Sequence, residues 1–481
     1  MIFDKQIKIY FMKKCMIIVL LLLAARGSFA QSVAGDWYGS LNMKGTLIPI
    51  IYHIVKNGDT FVSTMDSPDQ GALGLATDKT TFLNNQITIE ASKYNIKYSG
   101  SFIPDSNKIK GFFTQGTVAL PLDLSNHKVN STAPPQEARP QDPKDFPYKQ
   151  EDVMFLNPRG GNRLAGTLTI PVSGHVSKIV ILITGSGPQN RNEEVKAFNH
   201  RPFLVWSDWL TRQGIAVLRY DDRGIGQSTG NFMSSTTADF ADDAEAAVKY
   251  IKSRSDLKDL SIGLMGHSEG GMIAPVVASR NKDVKFIILL AGPAVPIVQL
   301  MIKQSDDQMR LGGASEEARK LSDSTDMRLY TFVNEHPNLP AADLKIKIDT
   351  LLYRDIRKYP VADLGGKSIA EIVKENDMQV ISPWFRYFIA FKPADYLMKV
   401  KCPLLAINGT LDMQVNSKAN LGAIKTAMEI ADNQHYKVIP LTDLNHLFQK
   451  AKTGAVTEYG QISETVNPLA LQTVSNWINQ L

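Results

Sequence analysis

Two patterns of apolar and polar positions divide the chain. Over residues 32–125 short apolar stretches show partial alternation with polar ones, as in Val62–Met65, Ile87–Ile89 and Tyr94–Tyr98. Turn-forming clusters separate them: Asn57-Gly58-Asp59, Asp66-Ser67-Pro68-Asp69 and Asp105-Ser106-Asn107. Regularly spaced short strands with such turns predict a small antiparallel sandwich or barrel. From about residue 150 the pattern changes. Strand candidates at 151–156, 164–170, 178–184, 214–220, 261–265, 286–291, 403–408 and 436–441 alternate with helical patterns at 203–213, 238–254, 269–280 and 467–480. Ile179–Ile183 and Phe286–Leu290 are unbroken apolar runs, the mark of parallel strands buried on both faces. The alternation predicts a doubly wound α/β sheet. Between Val295 and Val400 the rhythm breaks, with helical stretches at Gln299–Arg310, Ser315–Asn334, Ala341–Lys358 and Ser368–Asn376 and no clear strand. An insertion of this length predicts a helical cap over about 296–400.

The segment joining the two patterns, 131–147, carries prolines at 134, 135, 140, 143 and 147 among polar residues and reads as an extended spacer. At the other end, Lys13 and Lys14 precede the apolar run Met16–Ala25, and small residues stand at Ser28 and Ala30. That is the layout of a secretory signal over 1–30, with periplasmic or secreted localisation as the expectation. About ten apolar residues fall short of the ~20 that span a bilayer, so no membrane insertion is expected after signal removal. Met12 is an alternative start. The divisions expected are therefore 1–30 signal, 31–130 β domain, 131–147 linker and 148–481 α/β domain.

Composition narrows the function. The 481 residues are 43% hydrophobic and 21% charged, which fits folded domains and excludes a disordered chain. Five of the 53 bases and one of the 48 acids lie in the first thirty residues, which leaves the rest a net charge of +1. So even a balance gives no footprint for nucleic acid. Cys402 is the one cysteine beyond the signal, beside Pro403-Leu404-Leu405, and reads as buried structure rather than a reactive thiol.

Gly266-His267-Ser268-Glu269-Gly270 fits G-x-S-x-G. Ordinary Gly and Ser usage produces such a pentapeptide in a chain this long about one time in six, so its context decides. It follows the apolar strand Ile262–Met265 and precedes a helix of small residues, the setting that lifts a nucleophilic serine out of a sharp turn. Thr184-Gly185-Ser186-Gly187-Pro188 follows the third strand and Tyr220-Asp221-Asp222-Arg223-Gly224-Ile225-Gly226-Gln227-Ser228 the fourth. With Ser382-Pro383-Trp384 and Asn408-Gly409-Thr410-Leu411-Asp412, these pieces make residues 150–481 resemble the α/β-hydrolases, in particular the bacterial carboxylesterase and serine aminopeptidase-like branch. The resemblance implies a doubly wound, mostly parallel sheet with a helical cap, here preceded by a small all-β domain that lies outside it. Gly35-Asp36-Trp37 at the start of that domain is similar to lipocalin-like barrels, although a core tryptophan is the better explanation.

The resemblance implies the chain order serine, acid, histidine. Beyond the seventh strand stand His435 and His446, and His435 begins a strand at the wrong end of the sheet, so His446 is the expected base. Asp412, just after the seventh strand, is the expected acid, with Asp443 as its competitor. The backbone N–H groups of Glu269 and Ser186 are the expected oxyanion donors. Asp222 and Arg223 read as loop ties; Glu193, Glu194 and His200 are within reach of the cleft mouth but read as exposed polar loop residues. The resemblance allows an acid near Asn190 or Asn192, and amides at both argue against a local ion pair. Gly185-Ser186-Gly187 mimics a dinucleotide fingerprint, but Pro188 and Asn190 break it. No cluster has metal-ligand spacing, so neither metal nor other cofactor is expected. A serine esterase acting on a small-molecule ester is the leading expectation. An exported aminopeptidase, with Glu316, Glu317, Asp323 or Asp326 holding the substrate amine, and a non-catalytic binding protein are the alternatives.

Overall fold

The computed structural model describes residues 33–127 and 139–481, apart from 44–45, 68–71, 116–117, 173 and 365. The expected signal lies outside the described residues. The chain divides into two compact units, Met1–Pro134 and Pro135–Leu481.

Ten strands between Gly35 and Ser125 form one antiparallel sheet in the first unit. The short strand Leu124–Ser125 pairs with both Gly35–Met43 and Lys108–Gln115, which closes the sheet into a barrel. Strict alternation drives it: along Ile96–Ile103 every second side chain is buried and the others face water. Gly58, at φ +61°, lets a two-residue turn join Asn57 to Thr60. Tyr94 is not in a strand as its apolar character suggested. It ends a single 3-10 turn, and Asn95, left-handed at φ +51°, starts the strand at Ile96. Trp37 is a core residue, its Nε1–H donating to the Val33 carbonyl at 2.7 Å and its ring meeting Phe102 edge-on at 5.8 Å.

The second unit holds an eight-stranded sheet of β1 (Tyr148–Asn157), β2 (Asn162–Pro171), β3 (Lys178–Ile183), β4 (Ala216–Tyr220), β5 (Ser261–His267), β6 (Val284–Leu290), β7 (Leu404–Gly409) and β8 (Tyr436–Leu441). Its spatial order is β1-β2-β4-β3-β5-β6-β7-β8, antiparallel as far as β4 and parallel from there on. This is the α/β-hydrolase fold that the motifs implied. Helices α1 (Pro202–Arg212), α2 (Thr237–Ser253) and α3 (Glu269–Arg280) are followed by the cap: α4 (Ile297–Leu311), α5 (Glu316–Glu335), α6 (Ala341–Ile356), α7 (Ile369–Val380), α8 (Pro383–Ala390) and α9 (Pro393–Leu397). Then come α10 (Ser417–Ile430) and α11 (Pro468–Gln480). Phe203, Trp206 and Leu210 of α1 and Val474, Trp477 and Ile478 of α11 cover one face of the sheet. Alanines 241, 244 and 247 of α2, with α3, α10 and the cap, cover the other. Both faces being dry, the central strands need apolar residues at every position, which is why they read as runs.

The proline-rich stretch departs from the spacer expectation in its second half. Arg139 is buried; its Nε donates to Thr465 Oγ1 at 3.1 Å and its guanidinium to the carbonyls of Phe198 (2.8 Å), Glu464 (2.9 Å) and Ile462. Gln141 bridges the backbone of Thr465 and Val466. An extended segment can be anchored by side-chain hydrogen bonds without a core of its own, which composition does not reveal.

On the barrel, His53 Nδ1 lies 2.7 Å from Asp36 Oδ1 and Nε2 3.0 Å from Asp66 Oδ2. Partial burial opposes the charge, but the bonds to Asp66 and Asp36 outweigh it and raise the pKa. A histidine whose folded value is raised contributes stability that is whole below its unfolded value of about 6.5 and is lost as pH rises past the folded one. Barrel unfolding in the full chain, followed by denaturant titration at a series of pH values, should therefore show stability falling above about pH 6.5, and His53→Gln should flatten that slope.

Candidate active site

Ser268 stands on a turn that backbone sterics disfavour. It follows β5 and precedes α3 at φ +52°, ψ −117°, outside the comfortable region for a residue with a Cβ. Its N–H is held by the Leu290 carbonyl at 2.9 Å, and its own carbonyl accepts from Gly271 at 2.8 Å. The turn closes only because its neighbours lack side chains. A Cβ at Gly266 would lie 2.0 Å from the Gly270 carbonyl oxygen, and one at Gly270 would lie 2.2 Å from that of Ile183.

The loop after β8 brings in His446, which is 3% exposed, and the loop after β7 brings in Asp412, also 3% exposed. His446 Nδ1 donates to Asp412 Oδ2 at 2.8 Å. The other carboxylate oxygen accepts the backbone N–H groups of Gln414 and Val415, both at 2.8 Å, so the acid is fixed before it meets the ring. Gly409 makes the crossing of the two loops possible, since a Cβ there would sit 2.1 Å from the Leu444 carbonyl oxygen. The competitors stand apart: Asp443 and His435 are exposed, and the Asp443 N–H bonds to Thr410 Oγ1. Ser268 and His446 line one cavity of about 400 Å³ with Ser186, Glu269, Leu300, Met301, Trp384 and Phe388.

Glu269 was expected for its N–H, but its side chain has a part of its own. As the first residue of α3 its amide lies among those with no partner inside the helix. Its carboxylate, 2% exposed, accepts from Thr237 Oγ1 at 2.6 Å, Ser186 Oγ at 2.8 Å and Trp384 Nε1 at 3.0 Å. Burial pushes its pKa up, and the three bonds, led by that of Thr237, act against the rise. One carboxylate thus joins the loop after β3, the start of α2 and the cap helix α8.

Two sequence expectations need correction. Glu193 (4% exposed) and His200 (0%) are buried rather than exposed, and Glu193 lines the cavity. Glu193 accepts from Gly185 N–H at 2.8 Å and lies 2.9 Å from His267 Nδ1, while His200 Nε2 meets the Thr465 carbonyl at 2.9 Å. Burial pushes His200 down to about 4. Glu194 accepts from Asn190 Nδ2 at 2.8 Å. Asn190 and Asn192 bond as amides, while their neighbour Arg191 reaches across to the loop after β4, where its guanidinium forks onto Asp221 at 3.0 and 2.7 Å. Asp222 and Arg223 are loop ties as expected, Asp222 to Thr184 and Gln189, Arg223 to Asp243 at 2.6 Å. His267 was missed altogether. Its place inside the pentapeptide was the available signal, but only the fold brings Glu193 to it.

A family model described as serine aminopeptidase, S33, matches residues 201–324, from α1 through the serine turn into α5. Esterase EstD of Thermotoga maritima is 26% identical over 309 residues, which cover 64% of this chain and 61% of that protein. The uncharacterized protein YfhR of Escherichia coli is 26% identical over 145 residues, 30% of this chain and 47% of its own length. The chain thus spans about half to three fifths of the length of the curated relatives it matches. Among solved structures, the esterase Pf2001 of Pyrococcus furiosus is 17% identical, with 70% of this chain and 93% of that one covered and a TM-score of 0.42.

The glycine contacts give a sharp test. Gly266→Ala and Gly270→Ala each force backbone against backbone and should cost ~1–3 kcal/mol or more, read as a lower denaturation midpoint. Gly422→Ala, where nothing lies within 4 Å of the added carbon, should leave the midpoint unchanged or slightly raised.

Proposed function

We propose that this chain, an α/β-hydrolase in its second unit, is a serine hydrolase that cleaves carboxylic esters through an acyl-enzyme. The observation that carries the reading is the Asp412–His446 hydrogen bond with the ring and Ser268 facing one cavity. Because Nδ1–H points at Asp412, the lone pair of Nε2 is free to take the serine proton. Ser268 Oγ then attacks the ester carbonyl. The N–H groups of Glu269 and Ser186 receive the developing oxyanion, in a pocket where such donors act far more strongly than in water. His446 passes its proton to the leaving alcohol, and water repeats the sequence to free the acid.

The cavity lining supports an uncharged ester. It carries no lysine or arginine, and its two carboxylates, Glu193 and Glu269, already have hydrogen-bond partners. The aminopeptidase alternative asks for an acid to hold a substrate amine, and Glu316, Glu317, Asp323 and Asp326 are not among the lining residues. The naming of a 26% identical relative as an esterase points the same way. Export to the periplasm or medium is part of the proposal; it rests on the Lys13–Ala30 pattern, and amino-terminal sequencing of the mature protein tests it, with Gln31 as the expected first residue.

Fluorophosphonate should label the wild type at Ser268 and leave Ser268→Ala unlabelled. Ser268→Ala and His446→Ala should each lower ester turnover by roughly 10⁴-fold or more, with little further loss in the double variant, since the two act as a unit. Losses that multiply in the double variant would separate them.

The cap supplies the selectivity test. Trp384 and Phe388 stack at 4.9 Å and line the cavity, whereas Phe391 stacks on Tyr396 at 5.2 Å outside it. Phe388→Ala should shift the preferred acyl length across a p-nitrophenyl ester series by roughly 1–3 kcal/mol per affected contact. Phe391→Ala should lower stability by ~3–5 kcal/mol and leave the chain-length profile in place.

A further inference from the structure

Glu193 and His267 have no part in the reaction as derived above, yet they occupy its centre. Glu193 holds a left-handed backbone at φ +51°, uncommon for a residue with a side chain, and this turns its carboxylate inward. Oε1 accepts the Gly185 N–H at 2.8 Å and meets His267 Nδ1 at 2.9 Å. On the far side of the ring, Nε2 lies 3.1 Å from the carbonyl oxygen of His446. Three loops are therefore joined in one line: the loop after β3, which carries Ser186; the turn that carries Ser268; and the loop after β8, which carries His446.

The partners dictate the protonation. A backbone carbonyl can only accept, so Nε2 must bear a hydrogen. At Nδ1 the partner is a carboxylate, which also accepts when ionised. Both ring nitrogens are then donors, and His267 is an imidazolium paired with Glu193. Burial works against that charge, but the Glu193 carboxylate, the His446 carbonyl and, more weakly, Asp412 outweigh it, and the pKa is raised. Three further rings face His267. His200 is held neutral by its own burial, Phe448 presents its ring at 6.3 Å, and the His446 ring lies at 4.8 Å.

We propose that Glu193 and His267 form a charged positioning pair that holds the oxyanion loop, the nucleophile turn and the base loop in register for catalysis. The proposal rests on the reading of Ser268 and His446 as nucleophile and base. Neither member of the pair has to touch the reacting atoms. With the proton in place, two donors clamp two acceptors. Once it is lost, the bare nitrogen of Nδ1 faces a carboxylate and the clamp opens at that joint. The pair is whole below the raised value of His267 and fails as pH rises past it, so turnover should have an alkaline fall-off that belongs to alignment.

The test combines nitrogen-15 NMR of the histidine rings with steady-state ester hydrolysis in the full chain. In the wild type, both ring nitrogens of His267 should be protonated at neutral pH. The alkaline fall-off in kcat should share its midpoint with loss of that proton, while KM changes little. In Glu193→Gln the ring should give up its second proton at lower pH, the fall-off at the wild-type midpoint should disappear, and kcat at neutral pH should drop by roughly ten- to a hundredfold from misalignment. A singly protonated His267 in the wild type between pH 6 and 8, which needs no variant to fold, would overturn the proposal. So would an alkaline fall-off that stays in place in Glu193→Gln. Fluorophosphonate labelling keeps the two readings distinguishable: a wild type that labels at Ser268 but has a neutral His267 sinks this proposal alone, and one that never labels sinks the hydrolase reading.

Discussion

The second unit of the molecule is organised by one steric constraint: helix α3 must start within touching distance of the strands beside it. Backbone atoms of Gly266, Gly270 and Ile183 meet where a side chain would otherwise lie, and a Cβ on Gly271 would lie 2.6 Å from Gly292 Cα. That approach forces Ser268 into a strained conformation, and the strain is supported by the dry sheet on either side of β5. The surrounding loops are built around this fixed point. The loop after β3 passes close enough that a Cβ on Gly185 would lie 3.2 Å from that of Ser268.

Three buried carboxylates surround the site, and each is stabilised by a different chemistry. Asp412 has two backbone amides and one imidazole N–H. Glu269 has three neutral donors, from a threonine, a serine and a tryptophan. Glu193 has one amide and one imidazole. Burying an acid without such partners costs several kcal/mol or shifts it to the neutral form. The donors that satisfy these acids come from separate segments, so each carboxylate also fastens one piece of chain to another. In Glu269 this reaches as far as the cap, through the Trp384 indole.

Legibility in the sequence followed the range of the interaction. The central strands of the second unit show as apolar runs because both sheet faces are dry there, a local signal. Ser268 shows through a turn whose glycines are sequence neighbours, and Asp412 and His446 through their places after β7 and β8. Helix α10 went unread although Leu421, Ile424 and Met428 sit at helical spacing and Asn416 caps its start, because small residues such as Ala419, Gly422 and Ala423 dilute the apolar stripe. Glu193 and His200 were misread for a stronger reason. A charged residue in a loop looks solvent-facing, and its partners, His267 and Thr465, are 74 and 265 residues away. Arg139 is the same case at larger separation, since proline content describes how a segment behaves alone and says nothing of what grips it.

That arginine bears on where the catalytic unit begins. Its guanidinium and the neighbouring Gln141 amide satisfy the carbonyls of Phe198, Ile462, Glu464 and Val466 and the N–H groups of Thr465 and Val466. All of these belong to loops flanking the cavity, whose wall includes Phe198 and Tyr459. A catalytic fragment cut at the first strand of the sheet would keep every residue of the fold and lose this strap. Its cost would be the loss of these bonds to backbone groups beside the cavity, of which the Glu464 carbonyl keeps a second donor in Gln449. The functional domain therefore starts ahead of its own secondary structure, in a stretch with the composition of a tether.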